Sequence, residues 1–293
     1  LGPNGGSKTI IKSAETLNQL GHGSIIWSPI NNYIWHKPNV VIETTRDANL
    51  FNAVDCIVNV SVWDVQSTID FSCNKCNNKV WYLRGWEAWV KGEQYLIDQI
   101  KKFVNAGGRM ICNSSWLINQ LKEKCNVESV LCWSGLDLDF WRPHTELRYD
   151  IGFMKYKRHE TKRNDLMENI AGLRKVKSFE VNIKSNLDDY KLRCVYSDCK
   201  MWFCPTENEG FHNVGAEANL CGCLIFCNRM QSNGMSDYAT EETAERFSDW
   251  DELLKKLSKP DFDKIPKMQK LLKEKIGSRE TNMKRFVKML EEK

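Results

Sequence analysis

Residues 200–228 constrain this chain more than any other stretch. Lys200 to Cys204 is a short apolar run suited to a buried strand, and Pro205 ends it. The polar loop TENEGF follows, then helix-forming residues from Asn213 to Leu220, then a second apolar run from Cys223 to Cys227. Strand, loop, helix and strand in that order predict one unit of an α/β domain built on a parallel sheet. In such folds the loop after a strand's carboxyl end is where ligands bind.

Two carboxylates punctuate this unit. Glu209 lies in the loop, and Glu217 stands eight positions on, about two helical turns along. Gly210 lets the backbone approach a ligand closely. The N–H groups of Gly210, Phe211 and His212 open the helix, where donors and the helix dipole suit an electron-rich group. Glu217, on a rigid helix, can accept two hydrogen bonds from a vicinal diol such as ribose. A surface carboxylate beside one favoured by the dipole would also account for the spacing alone. The surrounding residues, Pro205 four places before the Glu209-Gly-Phe run and EANLCGC after it, favour a binding role.

The stretch CPTENEGFHNVGAEANLCGCLIFCN resembles the donor-binding signature of retaining GT-B glycosyltransferases of the family 4 (group 1) type. That resemblance implies an α/β fold of two Rossmann-like domains facing each other across a cleft. It also implies a nucleotide-diphosphate sugar, UDP- or GDP-linked, as donor. Glu209 would hold the sugar's hydroxyls and Glu217 the ribose. The family places a basic pair, five residues apart, between a strand and a helix to bind the donor diphosphate. Within KYKRHETKRND, Lys157 and Lys162 keep that spacing; Arg158 and Arg163 fit as well. The catalytic set is then Glu209, Lys157 and Lys162. With only Tyr156 interleaved, this basic stretch does not read as a nucleic-acid surface.

The resemblance extends along the chain. Gly5-Gly6 precedes a first helix ending Leu17-Asn-Gln-Leu-Gly-His22, as in the family's opening phosphate-binding turn. The same residues also approach a P-loop, Gly2-x4-Ser7-Lys8-Thr9, with Ser7 at the second glycine position. Both folds place a strand before this turn where here only a few residues stand, so the first strand is expected to be missing. Arg84 and Glu87, in RGWEAW after a strand end, are expected on the acceptor side of the cleft or as a structural ion pair. VLCWSGLDLDFWRP, residues 130–143, is similar to the element closing the family's first domain, with Ser134 where Asn is usual. The boundaries that follow are 1–143 for an acceptor-side domain and 144–278 for a donor domain. Residues 279–293 form a helix returning to the first domain.

Composition narrows the rest. The chain has 293 residues, enough for two cores. No apolar run of 18 residues and no signal peptide are visible, so a cytoplasmic protein is expected. A net charge of +4 permits peripheral membrane contact or an anionic ligand without requiring either. Many of the 12 cysteines fall in apolar runs, where a free thiol packs as a small hydrophobe. Cys73 and Cys76 form a lone C-x2-C without a second pair, so no metal site is expected, and no cofactor beyond the donor. The expected activity is metal-independent hexosyl transfer to a hydroxyl acceptor, whether glycan, lipid-linked or other. A sugar-nucleotide epimerase of the same fold, a P-loop kinase and a non-catalytic subunit remain open alternatives.

Overall fold

The computed structural model describes every residue except Pro3, Arg46, 72–77, 145–146, 157–163, 173–175, 182–187, 230–233 and Lys293. The chain opens on α1 (Gly5–Gln19), started by Asn4, whose Oδ1 accepts the Ser7 N–H at 2.8 Å. Gly21, at φ +90°, turns the chain out of the helix. Strands β1 (Ile25–Trp27) and β2 (Val41–Glu43) then pair in parallel, and α2 (Ala48–Asn52) follows. Next come β3 (Ile57–Asn59), α3 (Val65–Asp70), β4 (Lys79–Leu83), α4 (Glu93–Asn105), β5 (Arg109–Cys112), α5 (Ser115–Gln120) and β6 (Val130–Leu131).

Strands β3 to β6 form a four-stranded parallel sheet in sequential order. The β1–β2 pair is a separate piece, hydrogen-bonded to none of them. Helix α1 packs across both, with Ile11 and Ala14 against Ile26, and Leu17 and Leu20 beside Val58 and Val60. The apolar run DCIVNVSV, residues 55–62, suits a strand over its whole length, yet β3 takes only Ile57–Asn59. β3 pairs with β4 alone, and Ser61 Oγ captures the Trp63 N–H at 3.2 Å, folding the chain into a 3-10 turn.

Alternation along β4 sets the layers. Trp81 and Leu83 face Leu96, Ile100 and Phe103 of α4, while Val80 and Tyr82 face the opposite side. That opposite side is covered by the last helix of the chain, α11 (Arg279–Glu291), through Met283 and Phe286. Arg109 and Asn78 also reach the carbonyl of Leu290, which secures the helix end on the sheet.

The second unit is a five-stranded sheet in the order β11-β10-β9-β7-β8, all neighbours parallel. Its strands are β7 (Tyr149–Tyr156), β8 (Val176–Val181), β9 (Cys199–Cys204), β10 (Leu224–Asn228) and β11 (Glu245–Phe247). Its helices are α6 (Asn164–Ala171), α7 (Asp189–Ser197), α8 (Asn213–Leu220), α9 (Trp250–Ser258) and α10 (Lys264–Leu271). Met201, Phe203, Leu224 and Phe226 meet α6 and α9 on one face, whereas Trp202, Cys204, Ile225 and Cys227 meet α7, α8 and α10 on the other. Fully burying a large apolar side chain contributes roughly 1.5–3 kcal/mol, so these two layers carry most of the unit's cohesion. Among the described residues no helix is long and apolar enough to cross a membrane.

Candidate active site

The loop between β9 and α8 is held on both sides. Asn208 adopts φ +57°, a left-handed conformation that asparagine tolerates, and turns the chain toward the first unit. Glu209 then forms an antiparallel bridge with Gly85, just beyond β4, and the Gly234 N–H donates to the Glu209 carbonyl at 3.1 Å. Gly210 is needed for this approach. A Cβ there would lie 2.1 Å from the Arg84 carbonyl oxygen and 2.4 Å from Asn113 Oδ1. Its close neighbour is thus the first unit's backbone.

Asn113, one residue beyond β5, fixes the next link. Its Oδ1 accepts the Phe211 N–H at 3.1 Å, so that amide is already engaged. Phe211 is buried against Tyr238, and His212 turns inward: its Nδ1 accepts the Gly215 N–H at 3.2 Å, and its carbonyl accepts the Tyr238 hydroxyl at 2.5 Å. These two residues hold the loop in shape and start the helix. Asp237 Oδ2 accepts both the Ser115 N–H, at 3.1 Å, and the Trp133 indole N–H, at 2.8 Å, and so joins the two units a second time.

Glu217 sits in a buried charge cluster. Lys8, from the first turn of α1, places Nζ 3.2 Å from Glu217 Oε1 and 3.0 Å from Asp189 Oδ1, and 5.1 Å above the Trp141 ring. Burial alone would lower the Lys8 ammonium, but Glu217 and Asp189 more than reverse this, leaving it above the ordinary lysine value. Burial likewise raises the Glu217 carboxyl, which Lys8 offsets only in part. For the less buried Asp189, burial is outweighed by Lys8, and the carboxyl falls below its usual range. Glu217 Oε2 makes no hydrogen bond to a described residue. Beside this cluster Asn213 Nδ2 donates to Thr9 Oγ1 at 3.0 Å.

No protein-family model matches the sequence, and no curated protein matches it. Solved structures do. Sucrose-phosphate synthase from Thermosynechococcus elongatus superposes with a TM-score of 0.77 at 12% identity, covering 98% of this chain and 93% of the other. Anabaena HepE, in complex with UDP and glucose, gives 0.79 at 11% identity, over 99% and 97%. A glycosyltransferase from Rickettsia africae gives 0.73 at 13%, over 98% and 94%. The fold is GT-B.

In this GT-B fold the expected site residues separate into three groups. Glu209, Gly210, Glu217, Arg84 and the α1 start at Gly5 and Gly6 converge where the two units meet. Glu87 lies nearby but forms no ion pair with Arg84; its Oε2 accepts the Val62 N–H at 2.9 Å, and burial pushes its carboxyl up. Lys157 and Lys162, with Arg158, Arg163, Cys73 and Cys76, lie outside the described residues. Among the described residues no group of His, Cys, Asp and Glu is placed to hold a metal.

Sequence reasoning missed several residues of this GT-B junction. Asp189 and Asp237 carry no motif, and Asn113, beside Ser114 and Ser115, has only the local character of a helix cap. Lys8 was weighed as a phosphate ligand of a P-loop, whereas its ammonium is committed to two carboxylates of the other unit. Arg279, at the start of α11, gave no signal at all.

Proposed function

We propose that this chain is a retaining glycosyltransferase that moves a sugar from a nucleotide-diphosphate sugar to a hydroxyl acceptor. One observation carries the reading. Both members of the acidic pair lie at the junction of a GT-B fold, Glu209 bridged to Gly85 and Glu217 bound to Lys8. The likeness to HepE, solved with UDP and glucose, supports a uridine nucleotide among the donors.

In this reading Glu209 grips the transferred sugar's hydroxyls and supports the oxocarbenium-like charge. The unengaged Oε2 of Glu217 accepts from the ribose while Lys8 retains Oε1. The departing diphosphate is neutralised by Lys157, Lys162 and the amino end of α1, without a bound metal. The bond from the anomeric carbon to the phosphate oxygen breaks as the acceptor oxygen bonds on the same face. The acceptor's proton passes to that phosphate oxygen. Arg84 and Glu87 face the acceptor side, and the acceptor is a glycan or another hydroxyl compound, lipid-linked species included.

Incubation with a panel of UDP- and GDP-sugars, following nucleotide release and the product's anomeric configuration by NMR, tests this. Glu209→Gln should cut turnover on the order of 10²-fold or more with thermal stability unchanged. Wild-type turnover in that variant, inversion of configuration, or conversion of the donor without any acceptor would overturn the proposal.

A further inference from the structure

We infer that Arg84 and Arg279 together form an oxyanion site at the junction of the two units, built to take a phosphate group. Arg84 follows β4 and donates from Nη1 to the Gly6 carbonyl at 2.9 Å, while its Nε is buried with no hydrogen-bond partner. Arg279 opens α11. Its backbone N–H donates to the Leu136 carbonyl at 2.9 Å, and its Cα would stand 2.5 Å from a Cβ on Gly135. Its side chain makes no hydrogen bond or ion pair with any described residue, and Nη1 is buried. Tyr82 connects the two: it lies two residues before Arg84 on β4, and its hydroxyl is 3.2 Å from Ser134 Oγ, beside Gly135. The end of β4, the turn after β6 and the start of α11 thus bring both guanidiniums to one corner.

The carboxylates nearest this corner make their hydrogen bonds elsewhere. Glu217 and Asp189 hold Lys8, Glu87 accepts the Val62 N–H, and Asp137 Oδ1 accepts the Phe140 N–H at 3.2 Å. Burial lowers the affinity of both guanidiniums for their protons; the Arg279 charge adds to this at Arg84, whereas Glu217, Asp137 and Asp189 counter it at Arg279. A buried cation is normally retained in a fold by a paired anion. Here neither guanidinium is in an ion pair with a described carboxylate, and Arg84 Nε and Arg279 Nη1 keep unpartnered donors beside the amino end of a helix, donors that an external oxyanion would satisfy. The forked donors of arginine suit the oxygens of a phosphate. Two sources share this chemistry: the diphosphate of a nucleotide donor, and a phosphate carried by the acceptor. The oxyanion site itself stands apart from glycosyl transfer, but the choice of source rests on the function proposed above.

Calorimetric titration of the whole chain with inorganic pyrophosphate, UDP, uridine and glucose 6-phosphate tests the site without requiring turnover. Pyrophosphate and UDP should bind, and uridine should bind at least tenfold more weakly than UDP. Arg84→Met and Arg279→Met should each weaken pyrophosphate at least tenfold, and Arg279→Lys should restore part of that loss. Preference for glucose 6-phosphate over UDP, lost in the same variants, assigns the site to a phosphorylated acceptor. The reverse preference assigns it to the donor. Pyrophosphate affinity unchanged in both methionine variants, or no binding of any phosphate compound by the wild type, overturns the site. So does an Arg279→Met chain that fails to fold, because the side chain would then be a structural support. Phosphate binding without glycosyl transfer leaves the site standing and removes only the proposed function.

Discussion

Lys8 decides more at the level of single residues than its place in the sequence suggests. One ammonium ion serves two carboxylates from the other unit, with side-chain exposures of 7% for Lys8 and 4% for Glu217. Removing it leaves the buried Glu217 carboxylate unpaired, while Asp189 keeps Lys12 3.6 Å away, so Lys8→Met should lower stability by about 3–5 kcal/mol in urea unfolding. The pH dependence follows from the directions of the shifts. Asp189 titrates below its usual range, so its stabilisation is present above pH 3.8 and is lost as the pH falls through its folded value. Glu217 has the opposite sign, since its carboxyl is raised above 4.5 and its ionisation costs stability as the pH climbs. The ammonium is raised above 10.5, so its contribution holds below that value and fades above it. The stability gap between wild type and Asp189→Asn should therefore be open at pH 6 and close below pH 3.8. A gap that persists in acid would show that Asp189 acts through packing instead. Nothing local in the sequence pairs position 8 with 189 and 217. Such a contact exists only once the two units meet, which is why the residue-scale reading could see Lys8 only as part of Ser7-Lys8-Thr9.

Among the elements, the loop from Pro205 to His212 illustrates how much local sequence can convey. The strand before it, the helix after it and the strand beyond were all legible, because an apolar run, a proline and a block of helix formers each act over a few residues. Helix α8 spans Asn213–Leu220, as the pattern indicates. What the pattern cannot convey is the loop's partner. Gly210 reads as space for a ligand, but the space at its Cα is filled by Arg84 and Asn113. Gly210→Ala should therefore push the loop off the first unit and reduce both thermal stability and any donor binding. A variant with unchanged melting temperature and nucleotide affinity would refute that contact's importance. Strand β3 was overestimated for a similar reason. Its length depends on pairing with one neighbour, whereas DCIVNVSV reports only an apolar pattern.

At the scale of the molecule, the cysteines report on both cores. Of the ten described cysteines, all free, only Cys56 and Cys194 are partly accessible, and the other eight are buried. Burial pushes the thiols of Cys112, Cys132, Cys221 and Cys227 up to about 12, far from the thiolate form that reacts. At pH 8 a thiol reagent should label these four only after unfolding, with labelled sites read by mass spectrometry. Rapid labelling of Cys227 in the folded protein would contradict the packing of the second sheet. The two-unit plan itself was legible through the resemblance of short motifs, since the folds superpose over nearly the full chain at only 11–13% identity. The chain passes between its units twice, once after β6 and again at Gly277, where φ is +79° and α11 departs for the first sheet. Two crossings define a line, and a body joined along a line can swing but cannot slide or twist freely. Any opening of the two units would have to turn about that line, and it would part Lys8 from Glu217 and Ser115 from Asp237.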